Sequence, residues 1–345
     1  MRRDLRTKGN EPVVSPLRLS ALLAACLVLA GMGPARAVEN AADGADSAAT
    51  VGERMAPEIP AGGETSAADN NADAAYGAYQ RGYYLTAFEL ALPRAQLGDP
   101  KAQTLIAELY DKGLGVARDP REATAWYEIA SNNGDRDAQF GYAVKLLEGK
   151  YVKPDRVEAR RLMKLAADDG HATAAFNYAQ LVIDDRPTTA GAQEALPYLE
   201  QAAAARVSDA YYVLAQLYLS GRVKGYPEEQ LALDWMLKAA RAGIDTAQVE
   251  LGIWLVNGFA GVRDEKAGFG WIRRAAIGGN VVARNRLAKL YAQGVGTEPD
   301  PVEAAKWHIL AKRAGLKDTW LDDYINALDR QALARALEAA NRWPG

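Results

Sequence analysis

Residues 283–315 read ARNRLAKLYAQGVGTEPDPVEAAKWHILAKRAG, and this stretch decides the fold because its pattern recurs along the chain. Two alanine columns repeat at intervals of 36, 36, 36, 37 and 36 residues. Their members are Ala102, Ala138, Ala174, Ala210, Ala247 and Ala283 in the first column, and Ala130, Ala166, Ala202, Ala239, Ala275 and Ala311 in the second. Two columns that share one insertion indicate tandem copies of one supersecondary unit, and a period in this range is typical of solenoids.

Each unit carries the signals of two helices. The sixth position of the first helix is always small, which predicts that a neighbouring helix backbone passes close by. This column consists of Ala107, Ala143, Ala179, Ala215, Gly252 and Ala288. The second helix begins with Asp-x-x-Glu at 119–122, 155–158 and 300–303. In this motif the Asp is expected to cap the free amides and the Glu to reach back to the cap amide.

The residues at the ends of the second helices and the large side chains within them recur with the same period. Glycines that predict left-handed helix ends are Gly134, Gly170, Gly243, Gly279 and Gly315, and Arg206 interrupts this column. The large side chains predicted to fill the wedge between helices are Trp126, Leu162, Tyr198, Trp235, Trp271 and Trp307. Gly-x-Gly segments such as 113–115 and 294–296 follow helices, and we interpret them as tight turns rather than phosphate loops. The predicted fold class is an all-α, superhelical solenoid of helix-turn-helix repeats.

Residues 1–73 have a different composition from the repeats. Residues 1–37 resemble an export signal, with a basic start, an apolar run over 19–32 and the small-x-small sequence of residues 35–37. The only cysteine, Cys26, offers a lipoprotein-type cleavage site as an alternative. Residues 38–73 hold eight acidic residues against one basic residue and no aromatic residue, which predicts a disordered tether.

The repeats are predicted to form one solenoid over residues 74–343. Its units are expected to start near residues 74, 102, 138, 174, 210, 247 and 283, with a C-terminal capping helix region over 318–341. The first unit is shortened and the last region departs from the consensus. Atypical end repeats with polar outer faces keep such a stack soluble.

The pattern Ala-x-x-x-Leu-(Gly/Ala)-x-x-Tyr, Gly-x-Gly-Val, Asp-x-x-x-Ala, Trp-x-x-x-Ala-Ala-x-x-Gly resembles the Sel1-like repeat family, which is related to tetratricopeptide repeats. The unit that matches almost throughout has Ala283, Leu287, Ala288, Tyr291, Gly294, Gly296, Asp300, Ala304, Trp307, Ala311 and Gly315. The resemblance covers about residues 74–343. It implies the solenoid fold and an adaptor role in one of many pathways, with no catalytic residues.

A narrower likeness is to periplasmic negative regulators of exopolysaccharide production in alphaproteobacteria. It rests on residues 82–84, 92–100, 104–110, 266–271 and 296–301. Such regulators carry an export signal and restrain a membrane sensor histidine kinase. The resemblance therefore implies a periplasmic location and a protein partner, the periplasmic domain of a sensor kinase. The long acidic segment before residue 74 departs from this pattern.

The chain offers few residues for catalysis or metal binding. It has two histidines, His171 and His308, whereas a mononuclear zinc site normally needs three or four ligands. Neither a Ser-His-Asp nor a Cys-His set is plausible with so few candidates. The carboxylate pairs at 168–169 and 184–185 are expected to be solvated. A formal charge of −3 makes nucleic acid a poor partner. We therefore expect no enzyme activity, no cofactor and no metal.

Positions three, seven and ten of the first helices lie on one stripe. By analogy with tetratricopeptide stacks, this stripe is predicted to face a partner-binding groove. We call the following twelve residues the predicted groove stripe: Phe140, Val144, Leu147, Phe176, Gln180, Ile183, Tyr212, Gln216, Leu219, Val249, Ile253 and Val256. Most are apolar, and exposed apolar surface often marks a binding site. The alternative is that superhelical curvature buries them as core.

Three functions remain open from the sequence. The first is a non-enzymatic periplasmic regulator that binds a membrane sensor kinase. The second is a structural scaffold or adaptor in an envelope polysaccharide or cell-wall assembly, which lipidation of Cys26 would favour. The third, an exported enzyme or enzyme subunit, lacks a catalytic set of residues.

Overall fold

The structure is a computed structural model that describes residues 74–343, and every regular element in that range is helical. The expectations for residues 1–37 and 38–73 lie outside the described residues. The described helices group into two compact units, 74–185 and 186–343. The first unit contains α1 (74–80), α2 (Tyr84–Gln96), α3 (Pro100–Lys112), α4 (Pro120–Asn132), α5 (Arg136–Glu148), α6 (Arg156–Asp168) and α7 (Ala172–Asp185).

The second unit continues the alternation of first and second helices. It contains α8 (Thr189–Ala204), α9 (Ser208–Leu219), α10 (Glu229–Arg241), α11 (Asp245–Asn257), α12 (Glu265–Ile277), α13 (Val281–Gln293), α14 (Pro301–Arg313), α15 (Thr319–Asn326) and α16 (Arg330–Arg342). A short 3₁₀ turn, Phe259–Gly261, lies between α11 and α12. From α2 to α7 and from α8 to α14, helices adjacent in sequence pack on each other, which is the arrangement of a helical repeat stack, and the C-terminal α16 packs on α14.

The Asp caps are present, but the second half of the predicted capping motif is wrong. Asp119 accepts hydrogen bonds from the amides of residues 121 and 122, and Asp300 accepts from those of residues 302 and 303. The cap amides themselves do not bond to Glu. The Asp119 amide donates to the Tyr110 carbonyl, and the Asp300 amide donates to the Tyr291 carbonyl, each at 3.0 Å. The carbonyl of the preceding helix therefore takes the place expected for the Glu side chain.

The glycines that end the second helices adopt the left-handed conformation, as predicted. Gly134, Gly170, Gly243, Gly279 and Gly315 have φ values between 87° and 100°. Arg206 interrupts the glycine column in sequence but not in structure, because its φ is also positive, at 65°. The amide of Val207 still donates to the Ala202 carbonyl, which closes the same helix end. An ordinary side chain is therefore held in a conformation that favours glycine.

The small column marks close contacts between helices, as expected. Its alanines are fully buried, and its one glycine, Gly252 on α11, lies against Gly268 on α12. A Cβ atom at Gly268 would lie 2.6 Å from the Gly252 carbonyl oxygen and 2.8 Å from a methyl group of Val256. At this crossing there is no room even for the methyl group that the sequence suggested.

The loop glycines provide tight turns against neighbouring backbone. Gly115 and Gly296 have φ values near 70°, and a Cβ atom at Gly296 would lie 2.1 Å from the Glu265 carbonyl oxygen. This close approach supports the interpretation as turns. Among the large side chains of the wedge column, Trp126, Leu162 and Trp307 are buried. Tyr198, Trp235 and Trp271 are half-buried.

Side chains two positions into the first helices connect successive repeats, a feature that the sequence analysis missed. Gln103 donates to the Ala95 carbonyl at 3.0 Å, and Gln248 donates to the Ala240 carbonyl at 3.1 Å. Both glutamines are buried. Each adds a side-chain hydrogen bond to a carbonyl in the last turn of a helix, which also accepts from the amide of Gly98 or Gly243. The recurring amide at this position was the signal available in the sequence.

Candidate partner-binding surface

The predicted groove stripe is more buried than the sequence suggested. None of its twelve residues is exposed. Five are buried, namely Val144, Phe176, Ile183, Val249 and Val256. The other seven are half-buried, namely Phe140, Leu147, Gln180, Tyr212, Gln216, Leu219 and Ile253. Six of the residues lie in the 74–185 unit and six in the 186–343 unit. Their role in binding a partner stays a prediction.

In the 74–185 unit, stripe residues have packing partners within the protein. The Phe140 ring stacks on the His171 ring with a centroid separation of 4.5 Å. His171 Nδ1 accepts a hydrogen bond of 3.0 Å from the Ala174 amide, so this histidine caps α7. Phe176 is fully buried. Phe140 and Phe176 therefore contribute to packing of the first helices.

In the 186–343 unit the stripe contains a hydrogen-bond network around an unpredicted carboxylate, Glu250. The Tyr212 hydroxyl donates to Glu250 at 2.8 Å, and Gln216 Nε2 donates to its other oxygen at 2.7 Å. Burial raises the pKa of Glu250, although both hydrogen bonds favour its charged form. The pKa of Tyr212 is raised by burial and by the nearby Glu250 charge. This network joins α9 to α11.

The remaining stripe residues of this unit belong to its core. Val249 and Val256 lie in a buried cluster with Leu287 and Trp307, and Ile253 packs against that cluster. The stripe on α11 is therefore largely covered by α12 to α14. On α9, the stripe residues Tyr212, Gln216 and Leu219 are half-buried and keep partial access to solvent.

A second polar cluster lies on α13, which the predicted groove stripe did not include. Lys289 Nζ lies 2.7 Å from the Asp318 carboxylate, and Asn285 donates to the same carboxylate at 3.1 Å. The Asp318 carboxylate also caps α15 by accepting from the Leu321 amide. Arg286 lies between Asn285 and Lys289 in sequence and is half-buried. Burial lowers the pKa of the Arg286 guanidinium, and the Asp318 charge opposes that shift.

The histidines and the carboxylate pairs have structural partners. His308 is buried and its Nε2 lies 2.8 Å from the Asp322 carboxylate. Asp185 pairs with Arg156 and Arg160 on α6. Within residues 74–343 no group of three or more His, Cys, Asp or Glu side chains is arranged to hold a metal ion. Across the same range, none of the helices has both the length and the apolar character to cross a membrane.

The chain resembles solved structures of repeat proteins. A Sel1 repeat protein from Oxalobacter formigenes is 27% identical, with a TM-score of 0.60, over 72% of this chain and 99% of that chain. A protective antigen of uropathogenic Escherichia coli strains, which displays an SLR fold, is 24% identical with a TM-score of 0.51. That match covers 75% of this chain and 64% of the antigen, and it bears on the fold alone. No curated protein matches the chain.

The family comparison agrees with the repeats seen in the helices. The family model described as Sel1 repeat matches residues 100–135, 136–171, 208–244, 246–280 and 281–316. The unmatched interval 172–207 contains α7 and α8 and includes Arg206, the residue that interrupts the glycine column. Because the matched segments make up more than half of the sequence, the chain belongs to the Sel1 repeat family.

Proposed function

We propose that this protein is a non-enzymatic regulator that binds the extracytoplasmic domain of a membrane partner. Sel1-repeat proteins are generally protein-interaction scaffolds. The observation that carries the proposal is the half-buried polar and aromatic surface formed by Tyr212, Gln216 and Glu250 on α9 and α11. Tyrosine with adaptable hydrogen-bonding groups is typical of protein-recognition surfaces.

The finer identity of the partner rests on the sequence resemblance. Residues 1–37 support export to the periplasm, and the likeness to exopolysaccharide regulators supports a sensor histidine kinase as the partner. A periplasmic scaffold in an envelope polysaccharide assembly is the second candidate, favoured by the lipoprotein-type sequence at Cys26. Mass spectrometry of the mature N-terminus distinguishes them. A chain that starts at Val38 fits a diffusible regulator, whereas an acylated Cys26 fits an anchored scaffold.

The direct test is crosslinking in intact cells followed by identification of the captured proteins. A membrane sensor kinase should be captured, and its yield should fall when Tyr212 is replaced by Phe, because the hydroxyl that holds Glu250 in place is lost. Circular dichroism should show an unchanged helical content in this variant. Phe176→Ser is the contrasting change. It should unfold the 74–185 unit, since Phe176 is fully buried. Capture of envelope assembly proteins without a kinase would refute the regulator proposal.

A further inference from the structure

The α13 face carries a cation whose hydrogen-bonding capacity is unused. Arg286 is half-buried, and its guanidinium makes no hydrogen bond or ion pair with any residue in 74–343. A guanidinium has five N–H donors in a planar fork that matches a carboxylate. Placing such a group in a partly dry site without a partner costs free energy, which an incoming anion would recover.

The neighbouring charges cannot satisfy Arg286. The acidic group whose charge acts on it is Asp318, whose carboxylate already accepts from Lys289, Asn285 and the Leu321 amide. Lys289 and Asp318 form an ion pair, so Arg286 is the member of this group of three that has no counter-ion in direct contact among the described residues. The site therefore suits one carboxylate, because the Lys289–Asp318 pair leaves the N–H donors of Arg286 unbonded.

An exposed aromatic surface lies beside Lys289, one helical turn from Arg286. Trp320 on α15 is 44% exposed and stacks on Tyr324 with a centroid separation of 5.7 Å. Lys289 Nζ lies 5.9 Å from the centre of the Trp320 ring. Lys289 is one helical turn beyond Arg286, so both side chains leave the same side of α13. The indole ring offers an apolar contact within reach of a segment whose acidic group is held by the arginine.

The equivalent position of other repeats does not offer this chemistry. Glu250 lies 36 residues before Arg286, at the same place in its first helix, and it is a carboxylate held by two donors. The residues at this place in α3, α5, α7 and α9 are Leu105, Gly141, Asn177 and Val213. Within the 186–343 unit, an acidic segment is thus repelled by α11 and attracted by α13.

We propose that Arg286, Lys289 and Trp320 form a docking site for an extended segment of a partner protein that has an acidic residue next to an apolar one. This inference rests on the proposed protein-binding function and specifies which chemistry the partner presents. The carboxylate accepts two N–H groups of Arg286, and the adjacent apolar side chain covers the Trp320 ring. The charge match between a single open guanidinium and a single carboxylate fixes the register of the segment.

The test uses a phage-displayed library of random twelve-residue peptides, selected on the purified protein. Selected peptides should contain Asp or Glu beside an apolar residue. One such peptide and its Asn or Gln counterpart are then titrated against the wild type and Arg286→Gln. The acidic peptide should lose at least about tenfold in affinity on Arg286→Gln, which corresponds to about 1.4 kcal/mol. The amide counterpart should lose no more than about twofold, because only the charge pair depends on the arginine.

The matched control is Arg335→Gln, which removes the same charge from an exposed site on α16. It should leave both affinities unchanged, and circular dichroism should show that each variant is folded. Peptides without an acidic residue, a failure to select any peptide, or equal binding to Arg286→Gln would overturn the site. If crosslinking in cells still captures the kinase with undiminished yield in Arg286→Gln, the docking site is refuted while the proposed function stands.

Discussion

Two glycines in α12 provide a sharp test of the helix packing, because the structure predicts that alanine has opposite effects at the two positions. At Gly268 a Cβ atom would lie 2.6 Å from the Gly252 carbonyl oxygen and 3.1 Å from the Val256 amide nitrogen. Both are backbone atoms, so relief requires α11 and α12 to separate. Overpacking of this kind costs about 1–3 kcal/mol. After the gain of about 1 kcal/mol in helix propensity, we expect Gly268→Ala to lower the unfolding free energy by up to about 2 kcal/mol.

At Gly270 a Cβ atom meets nothing within 4 Å, and the residue is exposed. Gly270→Ala should therefore raise the unfolding free energy by about 0.5–1 kcal/mol, the helix-propensity gain alone. Urea unfolding followed by far-ultraviolet circular dichroism measures both variants. The transition midpoint should shift down for Gly268→Ala and up for Gly270→Ala, with similar slopes. Shifts of the same sign, or a stabilised Gly268→Ala variant, would show that α11 and α12 do not cross as described.

Three further changes test local features of the fold. Arg206→Gly should stabilise the protein by about 1 kcal/mol in urea titrations, because it relieves the left-handed conformation, whereas Arg206→Ala keeps the strain and should give no such gain. Asp119→Ala should cost about 1 kcal/mol, while Glu122→Gln should cost much less, because only the Asp bonds to the helix amides. Burial lowers the pKa of His171, so its contribution to stability is complete above about pH 6.5 and is lost as pH falls through the lowered pKa. In acid titrations His171→Asn should retain the helix cap and lose that part of the pH dependence.

The repeat columns predicted the fold because the residues of each column make the same packing contact in successive units. The small residue at the sixth position and the glycine at the end of each second helix both report backbone geometry that few residues can adopt. Arg206 shows the limit of this reasoning. It interrupts the glycine column in sequence, yet the backbone keeps the left-handed turn, since the surrounding repeat determines the conformation.

The surface was harder to predict than the fold, for a physical reason. Whether a residue on the stripe is buried depends on how closely the helices of neighbouring repeats approach it in space. The sequence period gives the spacing of the repeats along the chain but not this spatial separation. Phe176 is therefore fully buried although it shares the register of Tyr212, which is half-buried. The cap amide of Asp119 illustrates the same difficulty, because it bonds to the carbonyl of Tyr110 rather than to the nearby Glu122. Local motifs name the groups that need partners, and tertiary packing decides which partners they find.

The departures from the repeat carry more information about binding than the repeat itself. A residue that recurs in every unit, such as the alanine at the first position, is explained by packing that every unit shares. Glu250 and Arg286 occupy one position in successive first helices and have opposite charges, so packing common to all units cannot explain them. Both carboxylate oxygens of Glu250 accept hydrogen bonds within the protein, one from Tyr212 and one from Gln216. Arg286 bears the cost of partial burial without a hydrogen bond among the described residues, and a partner's carboxylate is the group that would remove that cost.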